Sequence, residues 1–132
     1  MIPSVEKLVS KKIFSISEEK SVLEAAEEMA GNEIGSLLVT REGSYVGIIT
    51  EVDIVRKVVA KEMSPAHVSV ATVMASPLIT IEANESVVDA NDLMEQKKVR
   101  HLGVTRKGEI IGVLSVRDLL HPLYVEQETS GF

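Results

Sequence analysis

The chain has no cysteine, no tryptophan, and only two tyrosines and two phenylalanines among 132 residues. Without cysteine there are no disulfide staples, zinc–thiolate sites or thiol nucleophiles. With so few aromatic faces there is little on which bases or sugars could stack. The sequence also lacks a basic stretch followed by an apolar leader, and no apolar run reaches membrane-spanning length, so a soluble, cytoplasmic protein is expected. Neither G-x-x-x-x-G-K-[ST] nor G-x-G-x-x-G occurs. His67, His101 and His121 show no metal-ligand spacing, and no Ser/His/Asp set suggests itself, so catalysis and a bound metal are not expected. With 14 Lys and Arg against 20 Asp and Glu, the net charge of −6 argues against broad binding to a phosphate backbone. What remains is an aliphatic chain, 45% hydrophobic, of the size of one compact module.

Its organisation is a duplication. VGIITEVDIV (46–55) returns as IGVLSVRDLL (111–120), and the same offset aligns SISEEKSVLEAAEEM (15–29) with TIEANESVVDANDLM (80–94) without a gap. Identities fall at Ile16/Ile81, Ser21/Ser86, Val22/Val87, Ala25/Ala90, Met29/Met94, Val39/Val104, Thr40/Thr105, Arg41/Arg106, Gly43/Gly108, Gly47/Gly112 and Asp53/Asp118. Two copies of this length indicate a pseudo-twofold module, since a solenoid needs more and shorter units.

Each copy reads as strand, helix, strand, strand, helix. Ser21 and Ser86 are each followed three residues later by an acid, Glu24 or Asp89, at capping-box spacing. Val22, Ala25, Ala26 and Met29, and then Val87, Ala90 and Met94, form helical stripes that belong in a core. Gly31 suits a helix C-cap. SLLVT–REGS–YVGIIT and HLGVT–RKGE–IIGVL read as hairpins, and their unbroken apolar runs predict sheets covered on both faces. EVDIVRKVVAKE predicts the second helix, MSPAHVSVATVMASP a linker into the second copy, and residues 125–132 a frayed tail. The expected division is 1–62 (first copy with an N-terminal helix), 63–124 (linker and second copy), then the tail.

The repeated chemistry is T/S-x-x-D: Thr50 with Asp53 and Ser115 with Asp118, each where a strand enters a helix. Capping alone would account for these residues. An anion site would also use them, with the hydroxyl near a phosphate and the carboxylate accepting hydrogen bonds from ribose hydroxyls. Charge differs between the copies. Residues 15–54 hold two cations against nine acids, a net −7, whereas residues 80–119 hold six against seven, a net −1. Arg117 lies inside the second motif, where its guanidinium could reach the same phosphate.

The β-α-β-β-α order, Gly47 and Gly112 before the motifs, and the closing GIITEVDI and GVLSVRDL resemble CBS (cystathionine beta-synthase) domains. The chain from about Leu8 to Leu120 resembles a free-standing CBS pair, or Bateman module. The resemblance implies an α/β (α+β) fold of tandem repeats packed sheet to sheet with pseudo-twofold symmetry. It also implies clefts for AMP, ADP, ATP or S-adenosylmethionine, held as a regulatory ligand rather than a required cofactor. One cleft would use Val113, Ser115, Arg117 and Asp118 with Ile16, Ile34 and Gly35. The other would use Ile48, Thr50 and Asp53 with Ile81, Val99 and Arg100. Arg100 and His101 are phosphate candidates for either, and backbone groups of the aliphatic residues are candidates for contact with a base. Many family members carry proline in the second strand, where this chain has Leu38 and Gly103.

The expected function is an adenosyl-ligand sensor acting on a protein partner in trans or through homodimer geometry. The alternative is a dimerisation scaffold that binds no ligand and uses both aspartates as caps. Nucleic-acid binding through Lys97, Lys98, Arg100, Arg106 and Lys107 is opposed by the acidic total and the scarcity of aromatics.

Overall fold

The computed structural model describes residues 2–120. The second-copy calls at 121–124 and the tail at 125–132 lie outside them. The architecture is mixed α/β, with two three-stranded sheets in two compact units. The first copy supplies β1 (Ser15–Ser17), α1 (Val22–Asn32), β2 (Ser36–Arg41), β3 (Ser44–Thr50) and α2 (Glu51–Ile54), which runs on into a π-helical turn, Val55–Val59. A short helix α3 (Val70–Val73) follows, then β4 (Thr80–Glu82), α4 (Val87–Lys97), β5 (His101–Arg106) and β6 (Glu109–Ser115), with helical residues at 116–120.

The duplication holds at the level of register. β1 runs parallel to β2 and β2 antiparallel to β3; β4, β5 and β6 repeat this pairing residue for residue, including a bulge at Val39/Thr40 and again at Val104/Thr105. Both predicted capping boxes form. Ser21 Oγ accepts from Glu24 N at 3.1 Å while Glu24 Oε2 accepts from Ser21 N at 3.1 Å, and Ser86 and Asp89 do the same. Hydrogen bonding from Ser86 holds the Asp89 carboxyl below its ordinary value, and hydrogen bonding with Asp89 raises the neighbouring Glu85. Leu37, Leu38 and Val39 are buried in succession, as expected for a sheet covered on both faces.

Gly31 is not the C-cap. The helix continues through it to Asn32, and Glu33 takes the left-handed turn at φ 55°. The Ile34 amide then donates to the Met29 carbonyl at 3.0 Å, so the donor of the closing bond falls three residues beyond the glycine. The second helix is also irregular. Ala60 N donates to Val55 O at 2.8 Å, one residue further back than in an α-helix.

The larger departure concerns the flanking segments. By contact the described residues divide into 14–78 and, discontinuously, 2–13 with 79–120, so the segment expected to open the first copy and the one expected to link the copies each pack elsewhere. The expected N-terminal helix is a 3₁₀ turn, Val5–Lys7, and its Val5 and Val9 pack in one core with Ala90, Met94, Leu102, Val104 and Leu114. The expected linker packs back on the first copy, where Val68, Val70 and Val73 join Val22, Ala25, Met29, Leu37, Val39 and Ile49. The physical reason is apolar burial: Val5 and Val70 are fully buried, and each such burial is worth about 1.5–3 kcal/mol.

Each flank crosses a glycine. Ala75 exchanges backbone hydrogen bonds with Ile48 at 2.8 and 3.0 Å, and Ser10 exchanges them with Val113 at 3.1 Å each. A Cβ at Gly47 would stand 2.6 Å from the Ala75 carbonyl oxygen, and one at Gly112 would collide with the Ser10 carbonyl and stand 2.6 Å from Val9 Cγ2. Neither backbone can yield without losing its bridge.

Two expectations follow. Gly112→Ala should lower stability by about 1–3 kcal/mol in chemical denaturation, whereas Gly31→Ala, with nothing within 4 Å of its new methyl, should raise it by roughly 0.5–1 kcal/mol; equal effects would refute the close-approach account. A fragment spanning 14–78 should retain circular dichroism and a cooperative melt, while 1–62, which lacks its own flank, should not. The reverse order would refute the exchanged flanks.

Candidate functional site

Both T/S-x-x-D motifs fold as capping boxes because each hydroxyl residue ends a strand in extended backbone and the acid stands at the third helical position. In the first copy Asp53 Oδ2 accepts from Thr50 N at 3.0 Å and from Thr50 Oγ1 at 3.1 Å, while Asp53 N donates to Thr50 Oγ1 at 3.2 Å. In the second, Asp118 Oδ2 accepts from Ser115 N at 2.8 Å and Asp118 N donates to Ser115 Oγ at 3.3 Å. All four residues are half-buried.

The strand entrances join the boxes by equivalent bonds. Glu51 N donates to Gly35 O at 3.0 Å, and Val116 N donates to Arg100 O at 2.9 Å. Ser36 pairs with Thr50 and His101 with Ser115 across the hairpins. Ile34 and Gly35 therefore adjoin the Thr50–Asp53 box of their own repeat, and Val99, Arg100 and half-buried His101 adjoin Ser115–Asp118. Ile16 and Ile81 lie away from the box of their own repeat. Ile16 pairs with Val39, three residues along the strand from Ser36 or roughly 10 Å, and it packs on its own core; Ile81, 8% exposed, is a core member of the other unit.

Ile48 and Val113 lie two residues before the boxes, but their backbone N–H and C=O groups are bonded to Ala75 and Ser10. The flanks occupy that strand edge. The flanks' part in framing both boxes was missed in the sequence. The available signal was faint: at the same offset, Ser4 and Val5 match Ser69 and Val70.

The surroundings of the two boxes differ. In the first copy Lys57 Nζ lies 3.2 Å from Asp53 Oδ1 and donates to Val73 O at 3.0 Å. The Glu51 side chain covers the position where Gly35 would carry a Cβ. In the second copy Val116 replaces Glu51 and exposed Arg117 replaces Val52, while exposed Arg100 replaces Gly35. Among the described residues, Asp118 Oδ1 has no hydrogen-bond or ion-pair partner, and neither Arg100 nor Arg117 is ion-paired. No group of three His, Asp or Glu side chains that could hold a metal ion occurs among the described residues, and no described helix is long and apolar enough to cross a membrane.

Comparison with known proteins agrees with this geometry. The CBS domain model matches twice, at residues 5–60 and 70–124. The CBS domain-containing protein CBSCBSPB2 of Arabidopsis thaliana is 32% identical over 129 residues, 97% of this chain and 24% of that protein. An uncharacterized protein of Methanopyrus kandleri is 33% identical over 119 residues, 89% of this chain and 61% of that one. The chain thus spans less than two thirds of these relatives. Among solved structures, a candidate signal-transduction protein with CBS domains from Burkholderia ambifaria superposes with a TM-score of 0.89 at 30% identity, covering 95% of this chain and 96% of that one. A hexameric CBS-CP12 protein from bloom-forming cyanobacteria gives 0.87 at 26% identity, covering 96% and 75%. With two family matches that together take in most of its length and a register-exact internal repeat, the chain belongs to the CBS domain family.

Proposed function

We propose that the chain is a regulatory module that binds an adenosyl ligand, namely AMP, ADP, ATP or S-adenosylmethionine, and performs no catalysis. The observation that carries this is the state of Asp118. One carboxylate oxygen caps its helix, and the other is left without a protein partner among the described residues, on a rim that also carries Arg100 and Arg117. A carboxylate with an uncommitted oxygen suits paired ribose hydroxyls, and guanidinium groups suit the phosphates or carboxylate that extend from the same nucleoside. Ser115 adds a hydroxyl at the same turn. His101, opposite Ser115, is a candidate for the same anionic group.

Self-association is part of this reading. Val52, Val55 and Val59 stand 42–60% exposed at helical spacing along α2 and its π-helical continuation, and the cyanobacterial neighbour is described as hexameric. A homodimer and a protein partner in trans are the proposed routes by which ligand binding is read out.

The capping boxes favour one other reading, a scaffold without ligand. Each hydroxyl and each aspartate already has a structural task worth about 0.5–2 kcal/mol.

A thermal-shift panel separates the two. On nucleotide-free protein, one of AMP, ADP, ATP or S-adenosylmethionine at about 100 times its dissociation constant should add about 2.7 kcal/mol of stability. Asp118→Ala should abolish that shift while lowering basal stability only by the value of a cap. No shift with any of the four compounds would leave the scaffold reading standing.

A further inference from the structure

Resting on the adenosyl reading above, we infer that the first repeat's box is filled by its own chain: Lys57 occupies the carboxylate that a ribose would need, so each chain takes up a single adenosyl ligand, through Asp118. In the first repeat both Asp53 oxygens are engaged. Oδ2 takes two donors from Thr50, and Oδ1 takes the Lys57 ammonium at 3.2 Å. The Asp53 side chain is 15% exposed and that of Lys57 49%, so the pair is shielded from water on the acid's side and open to it on the lysine's.

Lys57 is held at two points, since the same ammonium donates to the Val73 carbonyl at 3.0 Å. It belongs to the π-helical turn Val55–Val59, a distortion often found at functional positions. A ribose hydroxyl entering here would replace a charge-assisted contact with a neutral one, and it would strip the Val73 carbonyl of its lysine. Glu51 adds a second carboxylate where the other repeat has Val116, which opposes a phosphate.

Among the described residues the second repeat shows no such plug. At the same offset from Lys57 the sequence has Pro122, which carries no amine. Lys57 is therefore the residue that makes two boxes of equal backbone geometry unequal in binding.

Isothermal titration of the full chain with AMP, ATP and S-adenosylmethionine tests this. The expected result is one equivalent per chain, abolished by Asp118→Asn. Lys57→Met should raise it to two, and adding Asp53→Asn to Lys57→Met should return it to one. Lys57→Gln serves as a second variant should the methionine protein fold poorly. Two equivalents in the unaltered protein, or one in both Lys57 variants, would overturn the plug while leaving the adenosyl reading intact. No heat with any titrant would remove the adenosyl reading itself, and the plug with it.

Discussion

Two backbones cannot occupy the space of one β-carbon, and this constraint at Gly47 and Gly112 organises the molecule. Each glycine lets a flanking segment lie across the third strand of its sheet, with a carbonyl where a side chain would otherwise begin. The bridge that forms, Ala75 to Ile48 or Ser10 to Val113, satisfies strand-edge groups that would otherwise face water or another chain. It also delivers Val70 and Val73, or Val5 and Val9, to a core that three short strands and two helices would leave open. A small sheet with two short covering helices buries little apolar surface for its backbone entropy. The flank supplies the missing side of the core.

Because the duplication keeps backbone geometry nearly constant, the two boxes form a controlled comparison. The same strand-entrance carbonyl accepts the same helix amide, at 3.0 Å in one repeat and 2.9 Å in the other. Capping explains why a hydroxyl and an aspartate recur, since both are used in both places. It does not explain why one box is surrounded by Glu51 and Lys57 and the other by Arg100 and Arg117. A cap is served equally well by either set. The difference bears on what else can approach the aspartate.

Features set by short-range chemistry were legible in the sequence. Capping boxes at Ser21 and Ser86 depend on three residues of spacing, and the strand pairings followed from the offset that fixed both hairpins at once. The flanks were not legible for the opposite reason. Their destination is set by contacts made far along the chain, and only Ser4/Ser69 and Val5/Val70 mark their kinship. Gly31 misled because glycine is a frequent terminator, yet the helix ends where Ile34 can close onto Met29. The boxes of Thr50 with Asp53 and Ser115 with Asp118 were legible through repetition in register. Ile16 and Ile81 repeat as faithfully, but repetition marks core positions as readily as functional ones. Lys57 escaped notice because its importance lies in what its repeat-mate lacks.

The boxes and the flanks are joined by very few bonds. Ser115 stands two residues beyond Val113, whose backbone holds Ser10, and Lys57 ties Asp53 directly to the Val73 carbonyl of the other flank. Whatever alters either aspartate acts at one remove on the segment that completes that repeat's core. A ligand shifts such an arrangement only by the difference in its affinity for two states, and the reciprocal holds: anything that stabilises the flank changes the ligand's affinity by the same factor. In the first repeat the lysine already supplies the tie from within the chain. In the second, Asp118 Oδ1 has no partner among the described residues, and the link that these residues make between box and flank runs through the strand.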